Sequence, residues 1–170
     1  MESASPKYTS YTPEGECIFC KIASDITLQS RVVWEDNDYI AFLSIFPNTE
    51  GFTVVIPKKH YPSDVLALPD NLLQEFILAA KKVAKILESY FPDVGRVGLI
   101  MEGTGINHAH IKLVPMHGTE NLKTGEWRQF LSNESQFFEK YDGHISSHDG
   151  PRANDSILDA LAMGIRNFNK

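Results

Sequence analysis

One amphipathic stretch limits what this chain can become. Over 69–91 the apolar residues Leu72, Leu73, Phe76, Ile77, Ala80, Val83, Ala84 and Leu87 recur at helical spacing, Pro69 suits a first helical turn, and Pro92 ends the pattern. A helix with a single apolar stripe must lay that stripe on another element. The flanking sequence offers strands. Arg31 to Glu35 and Tyr39 to Leu43 are β-rich runs separated by Asp36-Asn37-Asp38, strong turn chemistry for a hairpin. Phe52 to Ile56 is a third, mostly β-branched run closed by Pro57. Val94 to Met101 and His110 to Val114 read as two more, joined through Glu102-Gly103-Thr104-Gly105, whose glycines permit a tight reversal with exposed amides. Five strands and one long helix predict an α+β fold: an antiparallel sheet with the helix packed on it.

Beyond Pro115 the texture changes. Glu126 to Tyr141 has weak helical character and Asp142 to Pro151 is loop-like. Ile157, Leu158, Leu161, Ala162, Ile165 and Phe168 then form a helical stripe, with Asn154 or Asp155 as N-cap. The expected organisation is a flexible tail over 1–16, a folded domain over 17–117, and a C-terminal helical extension over 118–170 packed on the same domain. The tail lacks the apolar core of a secretion signal and the arginines of a transit peptide, and no apolar run of about 18 residues suggests a membrane span. A cytoplasmic setting is expected, with no membrane partner. There, the two cysteines, Cys17 and Cys20, are not expected to form a stabilising disulfide. With 16 basic against 22 acidic residues the net charge is −6, which argues against a broad grip on nucleic acid but leaves room for a small anionic substrate in a local positive pocket.

The chemistry concentrates at His108-Ala109-His110-Ile111-Lys112. On a strand, alternate side chains share a face about 6.7 Å apart, so two imidazoles and an ammonium point into one volume beside the glycine loop. An exposed strand face with incidental polar residues is the bland alternative.

Four blocks occur in a telling order: Cys17-Ile-Phe-Cys20-Lys-Ile, Ala41-Phe-Leu-Ser-Ile45, Gly51-Phe-Thr-Val-Val-Ile-Pro-Lys-Lys-His60, and the His108 strand ending in Val114-Pro115. In that order they resemble the histidine triad (HIT) family from about Cys17 to His117. The resemblance implies a HIT-like fold and makes His110 the nucleophile that attacks the α-phosphorus of a nucleotide, giving a nucleotidyl-imidazole that water hydrolyses. An imidazole with pKa near 6.5 is largely neutral at pH 7 and presents a lone pair, provided its other nitrogen is held as a donor to a carbonyl. A backbone carbonyl of the same strand is expected to do this. Gly103, Thr104 and Gly105 amides and Lys112 are the nearest donors for phosphoryl oxygens. The loop reads Gly-Thr-Gly-Ile-Asn where the family typically carries Gly-Gln-Ser or a close variant.

The family has a third histidine where this chain has Lys112. As a fixed charge it serves phosphate well and donates protons poorly near neutral pH. Dinucleoside polyphosphates are therefore expected to be turned over better than nucleoside phosphoramidates, because an amine must be protonated as it leaves. By resemblance, Ile18, Phe19, Phe42, Leu43 and Ile45 line the base pocket, and Ser44 stands where an aspartate usually holds the ribose. His117, which follows Pro115-Met116 at the end of the strand, is expected to reach phosphate or the leaving group. Cys17, Cys20, His60 and His108 match positions that hold zinc in some family members, and two thiolates with two imidazoles are a closed, structural tetrahedral set. No cofactor is expected in the chemical step.

The reading is a nucleotide hydrolase or nucleotidyl transferase acting on dinucleoside polyphosphates or related nucleotides through His110; the resemblance also implies a homodimer with a continuous sheet, for which an exposed edge strand gives a physical reason. The alternatives are a non-catalytic nucleotide-binding regulatory protein that keeps the pocket, and a zinc-stabilised interaction module.

Overall fold

Asp36 closes the first hairpin of the computed structural model, which describes residues 16–127 and Ser156. Its Oδ1 accepts the N–H groups of Asp38 (3.0 Å) and Tyr39 (2.8 Å), the local bonding for which aspartate is favoured in turns. Strands β1 (Val32–Glu35) and β2 (Tyr39–Leu43) are antiparallel across it. β3 (Thr53–Pro57) pairs with β2 along its whole length, Ala41 facing Val55. The chain then crosses the sheet as α2 (Asp70–Tyr90) and returns as β4 (Val97–Ile100) and β5 (Ile111–Pro115). The strand order is β1-β2-β3-β5-β4, with every neighbouring pair antiparallel.

The period of two in the strands sorts their residues between two layers. Tyr39, Ala41, Val55, Ala109, Ile111 and Leu113 face α2 and meet Phe76, Ala79, Ala80, Val83 and Leu87 in the larger core. Ile40, Phe42, Val54 and Ile56 face the other way, onto Phe19 of a short helix α1 (Ile18–Ser24). β2 and β3 are covered on both faces, which explains their almost unbroken apolar runs.

The five expected strands and the long helix are all present, with ends shifted by up to three residues. Ile77, counted in the helical stripe, is 40% exposed, because the stripe on α2 is narrower than the list of apolar residues suggests. The sequence reading placed no helix at α1. After β5 comes a 3-10 turn (Glu120–Lys123), and Lys123 Nζ donates to the carbonyls of Glu88 and Pro92 at the end of α2. The chain divides into two units, Met1–Glu126 and Trp127–Lys170, and the sheet belongs to the first. The expected tail, the helical segments beyond 127 and the loop at 142–151 lie outside the described residues, apart from Ser156.

Candidate functional site

Residues 108, 110 and 112 occupy the α1 face of the sheet, because the odd-numbered residues of β5 are committed to the α2 core. Lys112 is paired with Val54, a member of the opposite layer, which fixes the same assignment independently. His108 is fully buried and His110 is 2% exposed. The Phe19 ring stands edge-on to both, with centroids 5.9 Å from His108 and 5.6 Å from His110.

His110 Nδ1 lies 2.8 Å from the carbonyl of His108. A carbonyl only accepts, so Nδ1 carries the proton and Nε2 keeps its lone pair. Burial pushes the ring's pKa down, further favouring the neutral form. The expected carbonyl is thus that of the residue two positions earlier.

His108 is oriented the opposite way. Its Nε2 donates to the carbonyl of Pro57 at 2.8 Å, which turns Nδ1 toward Cys17 Sγ at 3.3 Å and Cys20 Sγ at 3.5 Å. His60 Nδ1 sits 3.4 Å from Cys20 Sγ. All four donor atoms fall within 4.8 Å of one another. Zn–S bonds of about 2.3 Å and Zn–N bonds of about 2.0–2.1 Å at tetrahedral angles give a sulfur–nitrogen edge of about 3.5 Å, so these contacts have the dimensions of a zinc site. The Pro57 carbonyl supplies the outer hydrogen bond that fixes a ligating imidazole. Burial and the neighbouring Cys17 push the Cys20 thiol up to about 11, a preference that a divalent cation between the sulfurs would reverse.

The loop after β4 is held against the segment following β3. Gly103 has φ +66°, and a Cβ there would lie 2.6 Å from the Ser63 carbonyl oxygen. Nearby, the Ser63 N–H donates to Asn107 Oδ1 at 3.0 Å. Gly105 is also left-handed, at φ 91°. Among the described residues, none of the N–H groups of 103–105 donates to a backbone carbonyl outside regular elements, leaving them available to an anion.

Lys112 brings in a residue that sequence reasoning missed. Its Nζ forms an ion pair with Glu102 Oε1, a partner that the sequence pattern does not announce. Burial pushes the Lys112 ammonium below its ordinary range. Thr104 Oγ1 donates to the same Oε1 at 3.2 Å. The β4–β5 register pairs Ile100 with Lys112, and Glu102 follows Ile100 by two residues just past the end of β4, within reach of the lysine.

The other candidates separate. Ile18, Phe19 and Phe42 share one apolar cluster, which Ile106 joins. Leu43 and Ile45 are exposed at the end of β2, Ile45 by 64%. Ser44 Oγ accepts the N–H of Phe46 at 3.1 Å. His117 lies past the far end of β5 from His110, with Nδ1 at 3.0 Å from Asp93 Oδ2 and Nε2 at 3.1 Å from the Glu50 carbonyl.

The HIT domain pattern matches residues 26–122 of this chain. The chain belongs to the HIT domain family. That span contains His60, His108, His110 and Lys112 and begins after Cys17 and Cys20, so the thiol half of the four-residue cluster lies outside it. Over 116 residues this HIT protein is 37% identical to an uncharacterized HIT-like protein of Methanocaldococcus jannaschii, a match covering 65% of this chain and 88% of that one. It is 30% identical over 104 residues to the adenosine 5'-monophosphoramidase of Saccharomyces cerevisiae, covering 61% and 65% of the two chains. Among solved structures, a member of the HIT family from Bacillus subtilis superposes with a TM-score of 0.57 at 25% identity, covering 89% of this chain and 96% of that one.

Proposed function

We propose that this HIT protein hydrolyses or transfers nucleotidyl groups, with His110 Nε2 attacking the α-phosphorus of dinucleoside polyphosphates or related nucleotides. The observation that carries this reading is the Nδ1 bond to the His108 carbonyl, which leaves a buried, neutral Nε2 as nucleophile. As the P–N bond forms, the bond to the leaving group breaks and the electron pair departs with it. Water then attacks the nucleotidyl-imidazole, the P–N bond returns its pair to Nε2, and the water proton is released. Gly103, Thr104 and Gly105 amides, with Lys112, are the donors assigned to the phosphoryl oxygens. Ile18, Phe19 and Phe42 supply the apolar side for the base. The phosphoramidase among the relatives supports a hydrolase acting on a nucleotide.

Cys17, Cys20, His60 and His108 would hold zinc, whose four protein donors leave no open position and give it a structural role, joining α1 to the catalytic strand. A second copy is the assigned partner, since β4 is an edge strand of the sheet with Leu99 42% exposed.

Trapping tests the reading. Wild type and His110→Ala are incubated with α-labelled diadenosine polyphosphate and quenched in base. Label on the wild-type protein alone is the expected result; label on neither, with nucleotide bound by both, would favour the regulatory alternative.

A further inference from the structure

Glu102 is 88% buried as a side chain, and its two oxygens have different lives. Oε1 is shared by Lys112 Nζ and Thr104 Oγ1. Oε2 is buried and, among the described residues, meets no donor. A purely structural ion pair gains nothing from an orphaned acceptor, since a buried polar atom without a partner is costly to keep. The carboxylate nevertheless contacts Lys112, which shares the face of the sheet that His110 occupies. Its neighbour is the lysine that the sequence casts as the phosphate cation. Two opposite charges in contact act on a third charge as a dipole, whose field falls off faster than that of a lone ammonium.

We infer that Glu102 is the specificity-determining partner of Lys112: it compensates the lysine charge, so that the site does not favour a nucleotide merely for a longer phosphate chain. This rests on the reading that the α-phosphate lies at His110. A site with a free lysine would draw in extended anionic chains and hold them as competing ligands. With Glu102 in place, each phosphate beyond the first meets the ammonium and the carboxylate together. The hydrogen-bond capacity of Oε2 is then left for a donor carried by the bound molecule.

The test measures calorimetric affinities for AMP, ADP and ATP, which require no turnover, in the wild type, Glu102→Gln, Lys112→Gln and the double variant. The readout is the ratio of ATP to AMP affinity, which a general loosening of the loop does not move. Glu102→Gln unmasks the ammonium and is expected to raise that ratio about tenfold, while Lys112→Gln leaves an uncompensated carboxylate and lowers it by a similar factor. The double variant returns near the wild-type ratio. Should Glu102→Gln fail to fold, the double variant still tests the assignment, because a lysine acting without compensation would leave its ratio as low as that of Lys112→Gln. Ratios within twofold of wild type in the folded single variants would overturn this inference and leave the His110 reading standing. Absence of AMP binding in the wild type would overturn both.

Discussion

The ring of His110 is tied through Nδ1 to the carbonyl of His108, two residues back along the same chain. The donor and acceptor belong to one short piece of backbone, so the choice of ring nitrogen does not depend on a distant partner. Replacing His110 by alanine removes the only atom assigned to bond phosphorus. We expect turnover to fall by at least about a thousandfold. Nucleotide binding should persist, because Phe19, Phe42 and the loop amides remain. Steady-state rates with a fluorogenic nucleotide, beside an equilibrium binding measurement, check the two halves separately.

Removing metal should loosen one particular part of the fold. The four proposed ligands connect α1, the segment after β3 and the segment leading into β5, and α1 is only seven residues long with no side-chain N-cap. Such a helix has little stability of its own. Chelation, or Cys17→Ser with Cys20→Ser, is expected to cost at least about 3 kcal/mol of unfolding free energy in denaturant titrations. Hydrogen exchange should speed up in α1 before it does in α2. Substoichiometric zinc in protein purified without chelator would contradict the assignment.

A glycine contrast tests the loop that carries Glu102. Gly103 and Gly118 both have left-handed backbones, at φ +66° and +73°. A Cβ at Gly103 would lie 2.6 Å from a backbone carbonyl, whereas at Gly118 nothing lies within 4 Å. Gly118→Ala should therefore show only the conformational penalty, about 1 kcal/mol. Gly103→Ala adds a displacement of Ser63 or of the loop, and a total of about 2–3 kcal/mol is expected from denaturation midpoints. It should also weaken nucleotide binding, which Gly118→Ala should leave alone.

Legibility in the sequence followed the physics of each element. The strands and α2 were readable because burial repeats with their own periods. The zinc set was readable by resemblance, and the contacts of Cys17, Cys20, His60 and His108 fit it. Helix α1 was not readable: its first turn has no acidic residue, its N-cap side chain makes no bond, and its support comes from packing Phe19 against Phe42 and the histidines. Glu102 was overlooked because a carboxylate between methionine and glycine resembles ordinary loop polarity. Only the pairing of β4 with β5 brings it to Lys112.

The His117–Asp93 contact gives a pH dependence that belongs to the fold rather than to catalysis. The Glu50 carbonyl and the Asp93 carboxylate raise the pKa of His117 above its ordinary 6.5. Hydrogen bonds from His117 and the Gly118 N–H, with the imidazolium charge, lower Asp93 below 3.8. A raised histidine stabilises the fold fully below its unfolded pKa, and that contribution is lost as pH rises through the folded value. A lowered aspartate stabilises above its unfolded pKa and loses its contribution as pH falls through the folded value. The two windows overlap between about pH 4 and pH 6.5. Asp93→Asn should therefore lower the melting temperature most near pH 5 and least above pH 8. The effect will be small and weakened by salt, because both side chains meet water. A melting-temperature difference between wild type and Asp93→Asn that grows from pH 5 to pH 8 would contradict the pairing.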